Sequence, residues 1–173
     1  MGGSGLPGFE VRQSPELAAA VTGARRRALR DGDSQVDTAH LLHTLLECDP
    51  RVRAACGGPD RLPRLLGYLA QRAIGYGLRW SGRIEDSGAV RTLRGGRDGE
   101  PEAATALRWS PAASAAMDGA LARAHERGAA RAEGLDLLAA LAGDPEARAV
   151  EVLRRAGIDA EVLVAGLDGE QRQ

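Results

Sequence analysis

Apolar residues recur at helical spacing along the chain, and the same arrangement appears twice. Each copy opens with a Ser-Pro pair, continues with apolar residues on one helical face and stops at a glycine. The first copy has Leu17, Val21, Ala24 and Ala28 between Ser14-Pro15 and Gly32, and the second has Ala113, Met117, Ala120 and Ala124 between Ser110-Pro111 and Gly128. Serine caps helix starts, proline suits the first helical position, and glycine accepts the left-handed backbone that ends a helix. Both stretches are therefore predicted to be helices.

The repeat continues beyond the first helix. At an offset of 96, residues 14–46 and 110–142 are identical at 12 of 33 positions. Leucine stripes predict a second helix over about Asp37 to Glu47, with a counterpart over about Glu133 to Ala142. Third helices are predicted to start near Pro50 and Pro145, and fourth helices to cover Arg61 to Ala73 and Ala160 to Leu167. The sequence thus predicts an all-α fold of about eight helices in two pseudo-two-fold repeats of four.

The segment between the two copies has a different composition. Residues 75–105 are rich in Gly and Arg, with Ser, Asp and Glu, which is typical of a long flexible loop. We therefore expect a flexible N-terminus over 1–9, one domain over 10–168 and a tail over 169–173. Within the domain, repeat one spans 10–75, the loop 76–108 and repeat two 109–168.

Composition narrows the possible functions. Hydrophobic residues make up 43% of the chain and aromatic residues only 3%, so the core must be built from Leu, Ala and Val. All 23 basic residues are Arg, against 24 acidic residues, which excludes a catalytic lysine and the lysine of an ATP-binding P-loop. Two cysteines and the absence of a signal-peptide pattern or a membrane-length apolar run indicate a cytoplasmic protein that does not enter the membrane.

Two clusters of polar residues could carry other chemistry. His40, His43, Cys48 and Cys56 lack the spacing of metal-binding motifs, so no metal, cofactor or catalytic residue is expected. The stripe Arg25–Arg27 with Arg30 would suit phosphate contacts, although Asp31 and Asp33 dilute its charge. A helical nucleic-acid-associated regulator is therefore kept as an alternative function, and nucleic acid is the less favoured partner.

The duplicated pattern resembles the N-terminal domain of the Clp family of protein unfoldases. The first copy carries Asp37-Thr38-Ala39-His40-Leu41-Leu42, and the second ends with Val152-Leu153 and Gly157-Ile158-Asp159. The resemblance covers about 10–75 and 109–168. It implies a non-enzymatic module that receives unfoldase substrates or adaptor proteins. It leaves open whether the chain is a stand-alone domain or part of a longer protein.

The resemblance also implies where ligands would bind. In relatives that recognise phosphoarginine, a glutamate of each repeat contacts the guanidinium, and the matching positions here are Ala39 and Leu135. Without those carboxylates, no preference for phosphoarginine is expected.

Aromatic residues before the two Ser-Pro caps suggest a different ligand. In related domains such residues line a groove for hydrophobic peptides, including cyclic-peptide antibiotics, so a decoy that sequesters such antibiotics is a further alternative. Trp109 also suits a hydrophobic staple on the following helix. The predicted peptide-binding residues are Phe9, Glu10, Ser14, Trp109, Ser110 and Pro111.

Overall fold

A computed structural model describes residues 11–73, residue 85 and residues 107–172. Within these residues it confirms the all-α prediction with eight helices and four two-residue strands. The helices are α1 (Pro15–Arg30), α2 (Thr38–Cys48), α3 (Pro50–Ala55), α4 (Gly58–Ala73), α5 (Pro111–Glu126), α6 (Gly134–Ala142), α7 (Arg148–Arg155) and α8 (Ala160–Glu170). The predicted flexible N-terminus and most of the predicted loop lie outside the described residues.

The first helix of each repeat begins and ends as the sequence indicates. The Leu17 amide donates to Ser14 Oγ over 3.1 Å, and the Ala113 amide donates to Ser110 Oγ over 3.0 Å. Both helices have 16 residues with proline in the first turn. Gly32, after the end of α1, adopts a φ of 73°, and Gly128, after the end of α5, adopts a φ of 68°. These are left-handed values that other residues rarely adopt.

The later helices differ from the prediction at their ends. The third helix of repeat two begins at Arg148 and not near Pro145, because Asp144 first forms a turn whose carboxylate accepts from the Glu146 amide over 3.0 Å. Helix α4 starts at Gly58, earlier than predicted, and continues through Pro63. These boundaries depend on local turns that apolar periodicity does not reveal.

Four short strands, which the sequence did not predict, join the two repeats. They are β1 (Arg12–Gln13), β2 (Gln35–Val36), β3 (Arg108–Trp109) and β4 (Arg131–Ala132). β1 pairs in parallel with β4, and β2 pairs in parallel with β3. Each pair takes one strand from each repeat, so the repeats are interlocked through their backbones. Strands of two residues are too short to produce an alternating pattern.

Small residues allow the first two helices of each repeat to pack closely. Ala20, Ala24 and Ala28 of α1 are buried, as are Ala116, Ala120 and Ala124 of α5. A Cβ atom added to Gly23 would lie 3.2 Å from Thr44 Cγ2, and one added to Gly119 would lie 3.2 Å from Ala140 Cβ. Such close helix contacts explain how a core with few aromatic residues fills its interior.

Candidate functional site

The starts of α2, α5 and α7 meet where the two repeats join, and the carboxylate of Glu85 lies among them. Glu85 Oε1 accepts from the Thr38 amide over 2.8 Å and from the Ser110 hydroxyl over 3.0 Å. Its Oε2 accepts from the Arg148 amide over 2.7 Å and from the Thr38 hydroxyl. The Glu85 residue is only 4% exposed. We call these residues, Thr38, Glu85, Ser110 and Arg148, the junction cluster.

This arrangement explains how α7 is capped. Its N-cap residue is Ala147, which has no side-chain acceptor. The Arg148 amide donates to Glu85, and the Ala149 amide donates to the Thr38 hydroxyl over 3.0 Å. The first turn of a helix in repeat two is therefore capped by residues from outside that repeat.

A buried ion-pair network extends from the junction cluster. Asp37, which is fully buried, accepts from Arg148 Nη1 over 2.9 Å and forms a second ion pair with Arg72. Burial lowers the pKa of Arg72 to about 10 and also lowers the pKa of Arg148. Both remain cations near neutral pH, so the Asp37 carboxylate compensates buried positive charge from α4 and α7.

His40 completes the cap of α2. Its Nδ1 accepts from the Asp37 amide over 3.0 Å, and its own amide donates to Asp37 Oδ1 over 2.9 Å. Its Nε2 lies 2.7 Å from Asp33 Oδ2, so the neutral ring carries its proton on Nε2. Burial lowers the pKa of His40, which favours this neutral form.

The opposite junction, between α3 and α6, has the same layout but different residues. Asp136 takes the place of His40, and its Oδ2 accepts from the Glu133 amide over 2.8 Å. A carboxylate again lies between two helix starts, but it is Asp49, the N-cap of α3, which accepts from the Arg51 amide over 2.9 Å. The residue matching Thr38 is Gly134, where an added Cβ would overlap Asp49 Oδ2 and lie 3.1 Å from Leu45 Cδ1.

We expect Gly134→Ala to lower the free energy of unfolding by about 1 to 3 kcal/mol, because the new methyl group displaces the buried Asp49 carboxylate. Gly67→Ala is the matched control. Gly67 is exposed inside α4 with no atom near an added Cβ, so this change should raise the unfolding free energy by about 0.5 to 1 kcal/mol. Urea denaturation of both variants measures the difference. An equal gain in stability at both positions would contradict the crowding argument.

Two adjoining apolar cavities lie on repeat two. The first, of about 530 Å³, lies between α5, α6 and the turn before α7, and its lining includes Thr38, Ala112 and Ala147 near the junction cluster. The second, of about 900 Å³, continues between that turn and α8. Both are lined by Gly143, Pro145 and Val164. We call the combined surface, which begins at the junction cluster, the repeat-two groove.

Comparison of the whole chain with solved structures identifies this architecture. The N-terminal domain of the caseinolytic protease associated chaperone ClpD from Arabidopsis thaliana matches with a TM-score of 0.61 and 17% identity, over 98% of this chain and 99% of that one. The chain has the Clp N-terminal domain fold. A chain from a malarial protein secretion system matches with a TM-score of 0.60 and 14% identity, over 92% of this chain and 95% of that one. No protein-family model and no curated protein matches the sequence.

Four of the six residues predicted to bind peptides lie within the described structure, and two of these four cap helices. Ser14 and Ser110 cap α1 and α5, and Ser110 also donates to Glu85. Trp109 lies on β3, half-buried against the core, and the half-buried Pro111 opens α5. Neither residue lines the repeat-two groove. Phe9 and Glu10 lie outside the described residues.

The two positions matched to phosphoarginine-binding glutamates have different environments. Ala39 is fully buried in α2, whereas Leu135 is half-buried in α6 and packs against the core. A glutamate at position 39 of this Clp N-terminal domain fold would place its carboxylate in the core. The expected absence of phosphoarginine preference stays a prediction.

Three of the other polar candidates, Cys56, His40 and Arg27, are buried or paired. Cys56 is buried, which raises the pKa of its thiol to about 12. Asp31, Asp33 and His40 bring potential metal-ligand atoms within 4.8 Å of one another, but both ring nitrogens of His40 are already hydrogen-bonded. From the Arg stripe, Arg27 is paired with Glu47 at 2.6 Å.

Of the junction cluster, sequence reasoning singled out only Ser110. Glu85 lies in a segment of loop-like composition, and Asp37, Arg72 and Arg148 are far apart in sequence. No local signal pointed to the cluster, because the predicted helix start near Pro145, with Asp144 before it, offered an ordinary cap. Within the described ranges, no helix combines the length and apolar character needed to cross a membrane.

Proposed function

We propose that this chain is a non-catalytic module that binds peptide segments of substrates or adaptor proteins in Clp-type protein unfolding and degradation. The observation that carries the proposal is the repeat-two groove, an open surface lined mostly by apolar residues of α5, α6, α8 and the turn before α7. Its walls of alanine, glycine, proline and valine suit extended apolar side chains rather than a phosphate backbone. The Clp N-terminal domain fold supports the same function.

Charges around the groove narrow the class of peptide. Arg123 and Asp168 form an ion pair with each other. The remaining charged lining residues are Asp144, Asp159, Glu161 and Arg154, which leaves an excess of negative charge. Apolar peptides with basic flanks therefore complement the groove better than peptides with acidic flanks.

A fluorescence-anisotropy titration tests the proposal. We would compare a labelled apolar peptide flanked by arginines with the same apolar segment flanked by glutamates. The arginine-flanked peptide should bind more tightly, and added salt should weaken it only modestly. A labelled oligonucleotide provides the comparison, because phosphate contacts weaken steeply with salt. Binding of the oligonucleotide alone would favour the nucleic-acid alternative and overturn this proposal.

We expect Ala115→Arg to reduce peptide affinity by roughly tenfold or more, since its side chain would enter the groove. Ala115 is a half-buried lining residue of α5. Ala19→Arg is the matched control, because Ala19 is the corresponding residue of α1 and is exposed. Circular dichroism checks that both variants fold. Equal affinities for both variants and the unmodified protein would show that peptides bind elsewhere.

The surface near Phe9 and Trp109 is the other location predicted for peptides. Trp109→Phe and Trp109→Ala in the same titration assess it, with a loss of about 2 kcal/mol expected for the alanine variant if Trp109 is a binding hot spot. A cyclic apolar peptide in place of the linear one tests the decoy alternative.

A further inference from the structure

We propose that the junction cluster is a carboxylate-binding site, filled within the chain by Glu85, and that this internal ligand positions one end of the repeat-two groove. Four donors converge on the two carboxylate oxygens: the amides of Thr38 and Arg148 and the hydroxyls of Thr38 and Ser110. Thr38 is 1% exposed and Ser110 is fully buried. The carboxylate site is independent of the proposed function, and only its predicted effect on peptide binding rests on that function.

The donors favour an anion. Two of them are amides at the starts of α2 and α7, where the partial positive charge of a helix is concentrated. The carboxylate occupying them is the observation that shows what the site accepts. Because the donors belong to three helices from both repeats, an empty site would leave several buried polar groups without an acceptor.

The two junctions differ in how they obtain their carboxylate. At the junction between α3 and α6, Asp49 immediately precedes the helix that it caps. On this side α7 offers only Ala147, and the carboxylate comes from Glu85, 63 residues away from Arg148 in sequence. The acceptor that α7 requires is therefore supplied by the connection between the repeats.

The same carboxylate holds the end of the groove. Thr38, Ala112 and Ala147 line it there. Thr38 donates twice to Glu85, the Ala112 amide lies 3.5 Å from the Glu85 carbonyl oxygen, and Ala147 immediately precedes the Arg148 amide. Loss of the Glu85 carboxylate would release Thr38 and the residue that follows Ala147, whereas the contact with Ala112 is made by the backbone carbonyl of Glu85. Glu85 is thus a positioning residue for peptide binding and does not itself line the groove.

Chemical rescue of Glu85→Ala tests the inference. Removing the side chain leaves space for a small carboxylate, so sodium acetate at about 100 mM should raise the melting temperature of this variant, while sodium chloride at equal ionic strength should not. The unmodified protein and Glu85→Gln, whose sites are filled, should show no acetate-specific gain. If Glu85→Ala is unfolded in chloride, acetate should restore its helical circular dichroism signal.

Peptide affinity is the second measurement. Glu85→Ala should bind the arginine-flanked peptide roughly tenfold more weakly than the unmodified protein, and acetate should recover most of that loss. Equal effects of acetate and chloride on Glu85→Ala would overturn the carboxylate site. Acetate rescue of stability with unchanged peptide affinity would overturn the positioning role. If the unmodified protein binds no peptide, the proposed function fails, whereas the acetate result still decides whether the site binds carboxylates.

Discussion

Asp37→Ala is expected to lower the free energy of unfolding by about 3 to 5 kcal/mol, because it removes a buried carboxylate that pairs with both Arg72 and Arg148. Asp37 compensates Arg72 and Arg148 and also caps α2 through the His40 amide. Asp37→Asn keeps a cap acceptor but removes the charge. It should therefore still lose most of that stability, which urea denaturation at neutral pH would measure.

Asp159 provides a matched control. It also caps a helix, accepting from the Glu161 amide over 2.9 Å, but it is exposed. Asp159→Ala should lower the unfolding free energy by about 1 kcal/mol, the usual effect of losing an N-cap side chain. The excess loss at Asp37 then reports the buried charges. Equal losses at both positions would show that Asp37 acts only as a cap.

Mild acid is expected to destabilise the fold through its buried histidines. Burial, followed by the charge of Arg27, lowers the pKa of His43 to about 4. The unfolded chain titrates at about 6.5 and therefore takes up protons that the folded chain excludes. Stability is fully present above that pH and falls as the pH drops toward 4. Between about pH 7 and pH 4.5, His43 should account for a loss of about 2 to 3 kcal/mol.

The three histidines allow this contribution to be separated. His43→Gln should show a flatter dependence of unfolding free energy on pH, with a remaining slope from His40, whose pKa burial also lowers. His125→Gln, at an exposed position of α5, is the control for replacing a histidine by glutamine. Because carboxylates of ordinary pKa also begin to titrate in this range, each variant is compared with the unmodified protein, which carries the same carboxylates. A slope left unchanged by His43→Gln would refute the assignment.

Much of the fold could be predicted because its signals are local. Ser14, Ser110, Gly32 and the repeated leucines each act within a few residues of their position, and the helices follow them. The predicted start of the third helix of repeat two, near Pro145, was wrong because this boundary does not depend on local signals alone. There the turn at Asp144 delays the helix, and its cap comes from another part of the chain.

The candidate site was less predictable. The repeat aligns Thr38 with Gly134 and His40 with Asp136, but the spacing does not show that Asp49 fills the space left by the glycine. Nor does composition single out Glu85 among the charged residues around it. Long-range polar contacts have no period along a sequence, so only the folded arrangement reveals them.

The exchange of strands between the repeats affects how the chain can fold during synthesis. As the nascent chain leaves the ribosome, β1 and β2 emerge long before β4 and β3, their respective partners. The backbone groups of β1 and β2 therefore stay unpaired until β3 and then β4, which begins at Arg131, have left the ribosome. A chain released before that point would carry half of a core and two unpaired strands, and these are the features through which incomplete proteins associate with one another.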